Sequence, residues 1–271
     1  MDERAEAALG SALLDDLVAM GVRRGDTLLV HASMSGLGPP RVLGRALMTA
    51  LGGPLKGTLV VPAFTPANSL TSPAHRARTR NVRDPAAYRD FKNHMEPFDR
   101  DTTRSQGIGR LAEWVRRRDD AVRSDHPQTS FAAWGCRALE LTQGHAPDCH
   151  LGEKSPLGVL YGVEDAKVLM INVGFSVCTA FHLAEYRYLA DPPKKLYSCV
   201  VRDANGRRAW FHYSDVDLDD SDFEAVGADL PEEVRKEWQL GARTARLFSI
   251  RGAVDHAVNW MTEKRPCLTE R

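Results

Sequence analysis

Residues 167–189 read KVLMINVG, FSVCT and AFHLAEYRYL in succession. The apolar run Val168–Val173 is typical of a buried strand, and the final part of the segment is compatible with a helix. Thr179 stands where it can cap that helix at its N-terminus. The order strand, loop, helix favours an α/β fold and places His182 in the first turn of the helix.

His182 is the leading candidate for chemistry. The positive end of a helix dipole disfavours an imidazolium, so a histidine in the first turn tends to stay neutral and able to accept a proton. Glu185 follows on the same helical face. Two other interpretations stay open at this point. In the first, His182 is an ordinary capping or core residue. In the second, it is the base for a Cys178 thiolate.

The composition excludes several classes of protein. Over 271 residues, 36 Lys and Arg balance 36 Asp and Glu, so the basic excess of a nucleic-acid-binding protein is lacking. Five cysteines occur without a C-x-x-C pair, which predicts neither a disulfide framework nor a zinc site, and no metal is expected. The acidic N-terminus lacks the apolar region of a signal peptide, and no apolar run approaches membrane-spanning length. We therefore expect a cytoplasmic protein without membrane association.

The N-terminal part alternates between helix and strand patterns. Helical periodicity covers Glu3–Met20 and Val42–Leu51, and buried-strand patterns cover Asp26–Ala32 and Thr58–Ala63. This β–α–β start predicts an α/β fold with a mixed, partly parallel central sheet and flanking helices. The polar stretch Phe64–Thr103 is rich in Arg and Pro, and a stretch of that length is either disordered or a functional lid.

The remaining chain shows shorter elements and no linker, so we expect residues 1–271 to form a single domain. An Asn-Gly pair between two strand patterns is a strong hairpin signal. Helices are predicted at Gly107–Arg118, Arg137–Thr142, Pro156–Tyr161, Asp222–Asp229, Glu232–Trp238 and Gly252–Thr262; a short apolar segment at Phe131–Gly135; hairpin strands at Lys195–Arg202 and Arg208–Tyr213; and a last strand at Thr244–Ile250.

Three segments carry the small or polar residues that can receive a ligand with phosphate groups. Backbone N–H groups after a strand or before a helix bind anions, and glycine lets a phosphate approach closely. Alternatively, each segment is an ordinary turn whose polar groups are hydrogen-bonded within the protein and bind no ligand. The candidate residues are His31, Ala32, Ser33, Met34, Ser35 and Gly36 in the first segment, Arg104, Gly107, Ile108 and Gly109 in the second, and Ser124, His126, Ser130 and Phe131 in the third.

A base of this kind usually has a carboxylate that orients the ring and stabilises the imidazolium. Glu185 is the local candidate. Asp215 and Asp217, at the end of the second hairpin strand, are the remote candidates. Alternatively, Asp215 and Asp217 belong to a solvated acidic loop and do not contact His182.

Several motifs occur in a fixed order that resembles a known family. They are HASMSGLG (31–38), GTLVVPAFT (57–65), RSDHP (123–127) with SFAAWG (130–135), GEKSPLG (152–158), TAFHLAE (179–185) and RLFS (246–249). Together they resemble the aminoglycoside 3-N-acetyltransferase family, from about residue 21 to residue 260. Each motif alone is weak, but the ordered set is specific.

The resemblance implies an acyl-CoA-dependent N-acetyltransferase of mixed α/β fold that needs no metal. It implies that His182 is the base, that acetyl-CoA or a related acyl-CoA lies along the three segments above, and that the acidic partner comes from the region of Asp215 and Asp217. We therefore expect one of these two carboxylates, rather than Glu185, to hold the ring, which leaves Glu185 to face the acceptor. The fold is not that of the general N-acetyltransferase superfamily. The R-x-x-G-x-G spacing at 104–109 resembles the pyrophosphate loop of that superfamily, but no strand precedes it here.

The acceptor implied by the resemblance is a primary amine of a small molecule, such as an aminoglycoside 3-amino group or that of a related metabolite. The residues expected to bind it are Phe64, Thr65, Asn68, Thr179 and Glu185. Many family members carry Trp-Asp after the second strand, whereas this chain has Phe-Thr-Pro-Ala-Asn and then a basic segment that would repel a polycation. The alternatives are therefore an amine from a biosynthetic pathway, or a CoA-binding homologue without turnover. We expect no macromolecular ligand, and either a monomer or a homodimer.

Overall fold

The computed structural model of the protein describes residues 2–265. The helices are α1 (Glu3–Met20), α2 (Pro40–Ala50), α3 (Pro73–Thr79), α4 (Pro85–Asn93), α5 (Arg110–Arg116), α6 (Ala138–Thr142), α7 (Pro156–Gly162), α8 (His182–Glu185), α9 (Phe223–Ala228) and α10 (Ile250–Lys264). The strands are β1 (Thr27–Ala32), β2 (Thr58–Pro62), β3 (Ala121–Arg123), β4 (Phe131–Gly135), β5 (Ala166–Ile171), β6 (Lys194–Arg202), β7 (Arg208–Val216), β8 (Arg235–Leu240) and β9 (Arg243–Ser249).

Seven strands form the central sheet in the order β3-β4-β2-β1-β5-β9-β8. The three middle strands are parallel, with Leu29 of β1 opposite Val60 on one side and Val168 on the other. The outer strands are antiparallel to their neighbours. The predicted mixed, partly parallel sheet is therefore confirmed. Because β2, β1 and β5 run the same way, their carboxyl ends meet at one edge of the sheet, where ligands bind in open α/β folds.

Helices cover both faces of this sheet. Successive residues of β1 point to opposite faces, so Leu28 and Val30 join the apolar cluster that contains α1 and α2, while Leu29 joins the cluster that contains α10. A strand buried on both faces has a continuous apolar sequence, which is why β1, β2 and β5 are recognisable without an alternating pattern.

Local signals in the sequence set the limits of the long helices. The Asp2 carboxylate accepts the Ala5 N–H at 2.8 Å and caps α1. Gly21 ends the same helix with φ of 109°, a left-handed conformation that favours glycine. Ser249 caps α10 by accepting the Gly252 N–H at 3.3 Å.

Residues 66–98, called here the Arg-rich segment, are more ordered than the sequence predicts. They contain α3 and α4, capped by Ser72 and Asp84 respectively. Of the two alternatives for residues 64–103, disorder is therefore wrong for this part of the stretch. Both helices are short and start with the sequence Ser/Asp-Pro, so their capping signals carry more information than their weak apolar periodicity.

The hairpin β6–β7 forms a separate two-stranded sheet, and the Asn205-Gly206 turn joins its strands as predicted. The Arg-rich segment is hydrogen-bonded to β6 near both of its ends. The Leu70 N–H donates to Ser198 O at 2.9 Å, and the Phe98 N–H donates to Val200 O at 3.0 Å. The hairpin therefore fixes where the segment lies.

Two further predictions of secondary structure are wrong. Residues 232–238 do not form a helix, since 235–240 are the edge strand β8. An edge strand with charged residues such as Arg235 and Glu237 lacks the apolar alternation of a typical strand. The helix expected after Thr179 is only the single turn α8, preceded by a 3-10 turn at Thr179–Phe181, and Thr179 forms no side-chain cap. No helix among residues 2–265 combines the length and apolar character needed to cross a membrane.

Candidate active site

A cavity of about 570 Å³, called here the edge cavity, lies at the carboxyl edge of the parallel strands. Its walls come from the loops after β1, β2 and β5 and from the start of α5. The predicted residues that line it are His31, Ala32, Ser33, Met34, Ser35, Phe64, Gly107, Ile108, Gly109, Thr179 and His182. The first two predicted segments and His182 therefore meet at one cavity, and their contact with a ligand stays a prediction.

The loop after β1 is held in place by β5. The Ser33 N–H donates to Ile171 O at 3.0 Å, and the side-chain amide of Asn172 donates to Ser35 O at 3.2 Å. Asn172 has φ of 55°, which asparagine tolerates better than most residues. Since the Ser33 N–H already has a partner, any backbone donor to a ligand in this loop comes from a later residue. Gly36, with φ of 75°, is covered by the Arg243 guanidinium and does not line the cavity.

His182 and Glu185 form a direct pair, called here the dyad. His182 Nδ1 lies 2.6 Å from Glu185 Oε2. One turn of α8 suffices for this contact, because residues three apart share a helical face. The Glu185 side chain is 1% exposed and that of His182 is 14% exposed, so the carboxylate is buried while the imidazole still reaches the cavity. The Phe223 ring packs against the imidazole, with 4.7 Å between ring centroids.

The other Glu185 oxygen is fixed by two donors. Oε1 accepts the Asp219 N–H at 2.7 Å and Arg265 Nη1 at 3.0 Å. Arg265 also binds the Asp222 carboxylate at 2.7 Å and the Asp219 carbonyl at 2.7 Å. Burial alone would lower the pKa of Arg265, but its hydrogen bonds to Asp222 and Glu185 raise it above the usual value. A permanent cation therefore compensates the buried carboxylate.

The prediction that Asp215 or Asp217 orients His182 is wrong in this structure. Asp215 accepts the Tyr186 hydroxyl at 2.7 Å and the His150 N–H at 2.7 Å, and burial raises its pKa. Asp217 is paired with Lys195. Both side chains therefore stabilise the junction between β7 and its neighbours. The sequence alone does not show which neighbours the end of β7 brings to Asp215 and to Asp217, which directly follows the strand.

A second cavity, called here the outer cavity, meets the edge cavity at His182. Its volume is about 380 Å³, and the Arg-rich segment, β6 and the loop after β7 enclose it. The residues common to both cavities are Phe64, Ile108, His182 and Asp220. The imidazole thus stands where two separate ligands can approach each other.

A third cavity, called here the arginine cavity, continues from the edge cavity along the N-terminal side of α5. Its volume is about 620 Å³, and Gly107–Arg110 lines both cavities. Gly107 and Gly109 have φ of 74° and 90°, so glycine is required for this loop. The cations that line the arginine cavity are Arg104, Arg110, Arg117 and Arg118. Arg104 was predicted here, whereas the other three were missed.

Ser124 and His126 of the third predicted segment line none of the edge, outer and arginine cavities. Ser124 is buried with its Oγ 2.9 Å from His145 Nδ1. His126 is also buried, and its Nδ1 accepts the backbone N–H groups of Gln128 at 3.2 Å and Thr129 at 3.0 Å. The predicted direct contact of these residues with a cofactor is contradicted. They hold the turn between β3 and β4, which is the ordinary interpretation.

Four more predicted contacts are internal to the protein. Ser130 Oγ donates to Ala63 O at 2.9 Å, and Phe131 is fully buried beneath Phe64. Thr65 Oγ1 donates to a backbone carbonyl at 2.7 Å, and the Asn68 amide donates to another at 2.6 Å. None of these four side chains lines the edge or outer cavity, so the predictions of cofactor and acceptor contact are wrong for them. A motif in sequence does not distinguish a residue that touches a ligand from one that supports the loop beneath it.

Two further groups bear on the chemistry. Burial and the charge of His182 lower the pKa of His31 to about 4, so His31 is neutral at pH 7. Cys178 is fully buried, and burial raises the pKa of its thiol to about 12. A thiol of that kind is not a nucleophile, which contradicts the interpretation of His182 as the base for Cys178. Among residues 2–265, no cluster of three or more His, Cys, Asp or Glu side chains is arranged to hold a metal ion.

A carboxylate–imidazole pair that borders two cavities is an arrangement typical of enzymes that use a general base. The sequence profile described as aminoglycoside 3-N-acetyltransferase matches residues 29–262. The chain belongs to the aminoglycoside 3-N-acetyltransferase family, and the predicted family and acyltransferase class are confirmed.

Individual relatives agree with this assignment. The SPbeta prophage-derived aminoglycoside N(3')-acetyltransferase-like protein YokD of Bacillus subtilis (strain 168) is 33% identical, over 92% of this chain and 90% of its own. The YokD crystal structure superposes with a TM-score of 0.83, covering 94% of this chain and 99% of that chain. Aminoglycoside N(3)-acetyltransferase VII of Streptomyces paromomycinus is 33% identical, over 93% and 91% of the two chains. A solved complex of AAC-IIIb with CoASH is 26% identical with a TM-score of 0.79, covering 95% of this chain and 98% of that one.

Proposed function

We propose that the protein transfers an acetyl group from acetyl-CoA to a primary amine of an aminoglycoside or a related amino sugar, with His182 as the base. The observation that carries the proposal is the dyad at the junction of the edge and outer cavities. The Glu185 carboxylate can only accept a hydrogen bond, so it selects the imidazole tautomer with the proton on Nδ1. Nε2 is then free to accept a proton.

The edge and arginine cavities together suit the acyl donor. Acetyl-CoA has a narrow pantetheine arm and a bulky, highly anionic nucleotide. The edge cavity leads from His182 to the glycine loop, and beyond it the arginine cavity is lined by four arginines and one carboxylate, that of Glu113, so cations predominate. Arginine binds phosphate through paired donors, so this charge pattern fits the nucleotide end. That AAC-IIIb was solved with CoASH supports the same donor for this chain.

The outer cavity then receives the acceptor. Asp219 and Asp220 lie beside His182, and hydrogen bonds from Ser221, with further contributions from the charges of Arg265 and His182, lower the pKa of Asp219. Carboxylates at this point attract an ammonium group and keep the amine next to the base. The name of the Streptomyces paromomycinus relative, an aminoglycoside N(3)-acetyltransferase, supports an amine acceptor.

In this reaction the protein positions the two substrates and transfers one proton. Acetyl-CoA supplies a thioester, which the amine attacks without metal assistance once its ammonium form has released one proton to solvent. His182 Nε2 accepts the amine proton as the C–N bond forms, and Glu185 stabilises the resulting imidazolium. The C–S bond then breaks, and the imidazolium returns its proton to the departing thiolate. The products are the acetamide and CoA.

Thiol release from acetyl-CoA with a panel of aminoglycosides and amino sugars tests the proposal. We expect His182→Ala to lose about 10²–10⁴-fold in kcat, the usual contribution of a general base. His94→Ala is the matched control, since His94 is an exposed histidine on the Arg-rich segment. Equal thiol release by His182→Ala and the wild type would overturn the mechanism. CoA binding by calorimetry without release against any amine would overturn the activity.

A further inference from the structure

The outer cavity carries both signs of charge, at different places. Its acidic residues, Asp219 and Asp220, are at the His182 end, and Asp220 also lines the edge cavity. Its basic residues are Arg76 on α3 and Lys195 on β6, and neither of them lines the edge cavity. The cavity therefore has negative charge next to the base and positive charge on the walls that α3 and β6 provide.

The two basic residues are not equivalent. Lys195 is paired with Asp217, and its ammonium lies 5.0 Å from the centre of the Tyr197 ring. Arg76 donates through Nη1 to the Thr71 carbonyl at 2.6 Å, and no carboxylate oxygen among residues 2–265 lies within 4.0 Å of its guanidinium nitrogens. Arg76 is solvent-exposed, carries an uncompensated charge and has donors left for a ligand.

Several contacts fix the helix that presents Arg76. Ser72 caps α3 and donates to the Pro66 carbonyl at 2.6 Å. The His75 side chain is buried against Tyr88 and Phe91 of α4. Because the segment is also hydrogen-bonded to β6 at both ends, Arg76 belongs to a built wall of the cavity rather than to a loose loop.

The surroundings strengthen the positive potential at this wall. Residues 73–93 contain six Arg and Lys against two Asp, a net charge of +4. The arginines among them are Arg76, Arg78, Arg80, Arg83 and Arg89, and none of these has a carboxylate oxygen within 4.0 Å among residues 2–265. A polycation bound in the outer cavity would place at least one ammonium group in this positive potential, and the repulsion would oppose its binding.

We propose that the preferred acceptor carries an anionic group, a carboxylate or a phosphate, in addition to the amine that it presents to His182. This inference rests on the proposed acetyl transfer and specifies its substrate class. The ammonium lies toward Asp219 and Asp220, and the anion binds Arg76 across the cavity. Such a pairing orients the acceptor as well as attracting it, since each end has a complementary charge.

Three amino sugars that share the same amine test this arrangement: glucosamine, glucosamine 6-phosphate and 2-amino-2-deoxyglucuronic acid. The polycation sisomicin is the fourth acceptor. We expect kcat/KM for at least one anionic sugar to exceed that for glucosamine by about tenfold, the scale of one charge-assisted contact, and mainly through KM. The phosphate and carboxylate arms show which anion is preferred. Raising the salt concentration should reduce the preference.

Arg76→Glu should abolish or invert the preference for the anionic sugar and improve the use of sisomicin. Arg83→Glu is the matched control, because it makes the same charge change on an exposed residue of the segment that does not line the cavity. Equal loss in both variants, or a wild type that acetylates sisomicin or glucosamine better than both anionic sugars, would overturn the inference but leave the acetyl transfer intact. If no amine supports thiol release in the wild type, the proposed function fails and the inference fails with it.

Discussion

Replacing Glu185 by glutamine should slow the reaction strongly while leaving the shape of the site almost unchanged. Two groups reach Oε1, the Asp219 N–H at 2.7 Å and Arg265 Nη1 at 3.0 Å, and both are donors. The amide oxygen of a glutamine must therefore occupy the Oε1 position. Its NH2 group then occupies the Oε2 position and faces His182 Nδ1, where the carboxylate oxygen was at 2.6 Å.

An NH2 group can only donate, so Nδ1 becomes the acceptor and the imidazole proton moves to Nε2. The base then has no lone pair directed toward the amine. In serine proteases, where an aspartate-to-asparagine change reverses the tautomer in the same way, the loss in kcat is about 10⁴-fold. We expect a loss of about 10²–10⁴-fold for Glu185→Gln, with the KM for acetyl-CoA nearly unchanged because Glu185 does not line the edge cavity.

Steady-state thiol release at saturating acetyl-CoA measures this effect. Glu153→Gln is the control, since Glu153 is a 59% exposed carboxylate paired with Arg187 and lines neither the edge nor the outer cavity. A thermal melt of both variants separates lost chemistry from lost folding. A loss below about tenfold, which corresponds to only ~1.4 kcal/mol of activation free energy, would refute the tautomer argument.

Three further outcomes follow from the structure. Arg265→Ala should lower kcat by about 10-fold or more, the scale of a hydrogen bond to a charged group, and Arg265→Lys should recover part of it in the same assay. Gly107→Val should raise the KM for acetyl-CoA more than it lowers kcat. The reason is that a Cβ at φ of 74° strains the loop and enters the path to the arginine cavity. If calorimetry shows an unchanged affinity for CoA, the phosphates bind elsewhere. The free energy of unfolding should fall as pH drops from about 6.5 toward 4, by up to ~1.4 kcal/mol per pH unit for each histidine that is neutral in the folded protein. The reason is that the unfolded chain binds more protons than the folded protein in this pH range. Burial lowers the pKa of His31 and His145 to about 4 and of His150 to about 3, so urea titrations at several pH values measure the slope, and a flat profile would contradict it.

Local patterns in the sequence predicted the parts of the fold that depend on neighbouring residues. The apolar runs of β1, β2 and β5 predicted the parallel centre of the sheet because strands buried on both faces are apolar throughout. The spacing of His182 and Glu185 predicted a shared helical face, and one turn of helix was enough to realise it. The glycine loop at 107–109 was recognisable because its backbone conformation needs glycine.

Contacts between distant parts of the chain were not predictable in this way. Arg265 lies 80 residues from the carboxylate it binds, and nothing in its local sequence marks it. Asp215 and Asp217 had the right chemistry for an orienting group, but β7 directs them to Tyr186 and Lys195. His126 belongs to a motif of the family and yet is buried, because motifs include the residues that support a site as well as those that line it.

The position of Arg265 at the end of α10 has a consequence for how the protein is made. A ribosome adds roughly 5–20 residues per second, so the 80 residues between Glu185 and Arg265 take about 4–16 s to appear. During that interval the nascent chain already contains both members of the dyad but lacks the cation that compensates the buried carboxylate. The surroundings of the dyad are therefore completed well after the dyad itself is made, and a chain arrested before α10 would hold the dyad without the cation that compensates its carboxylate.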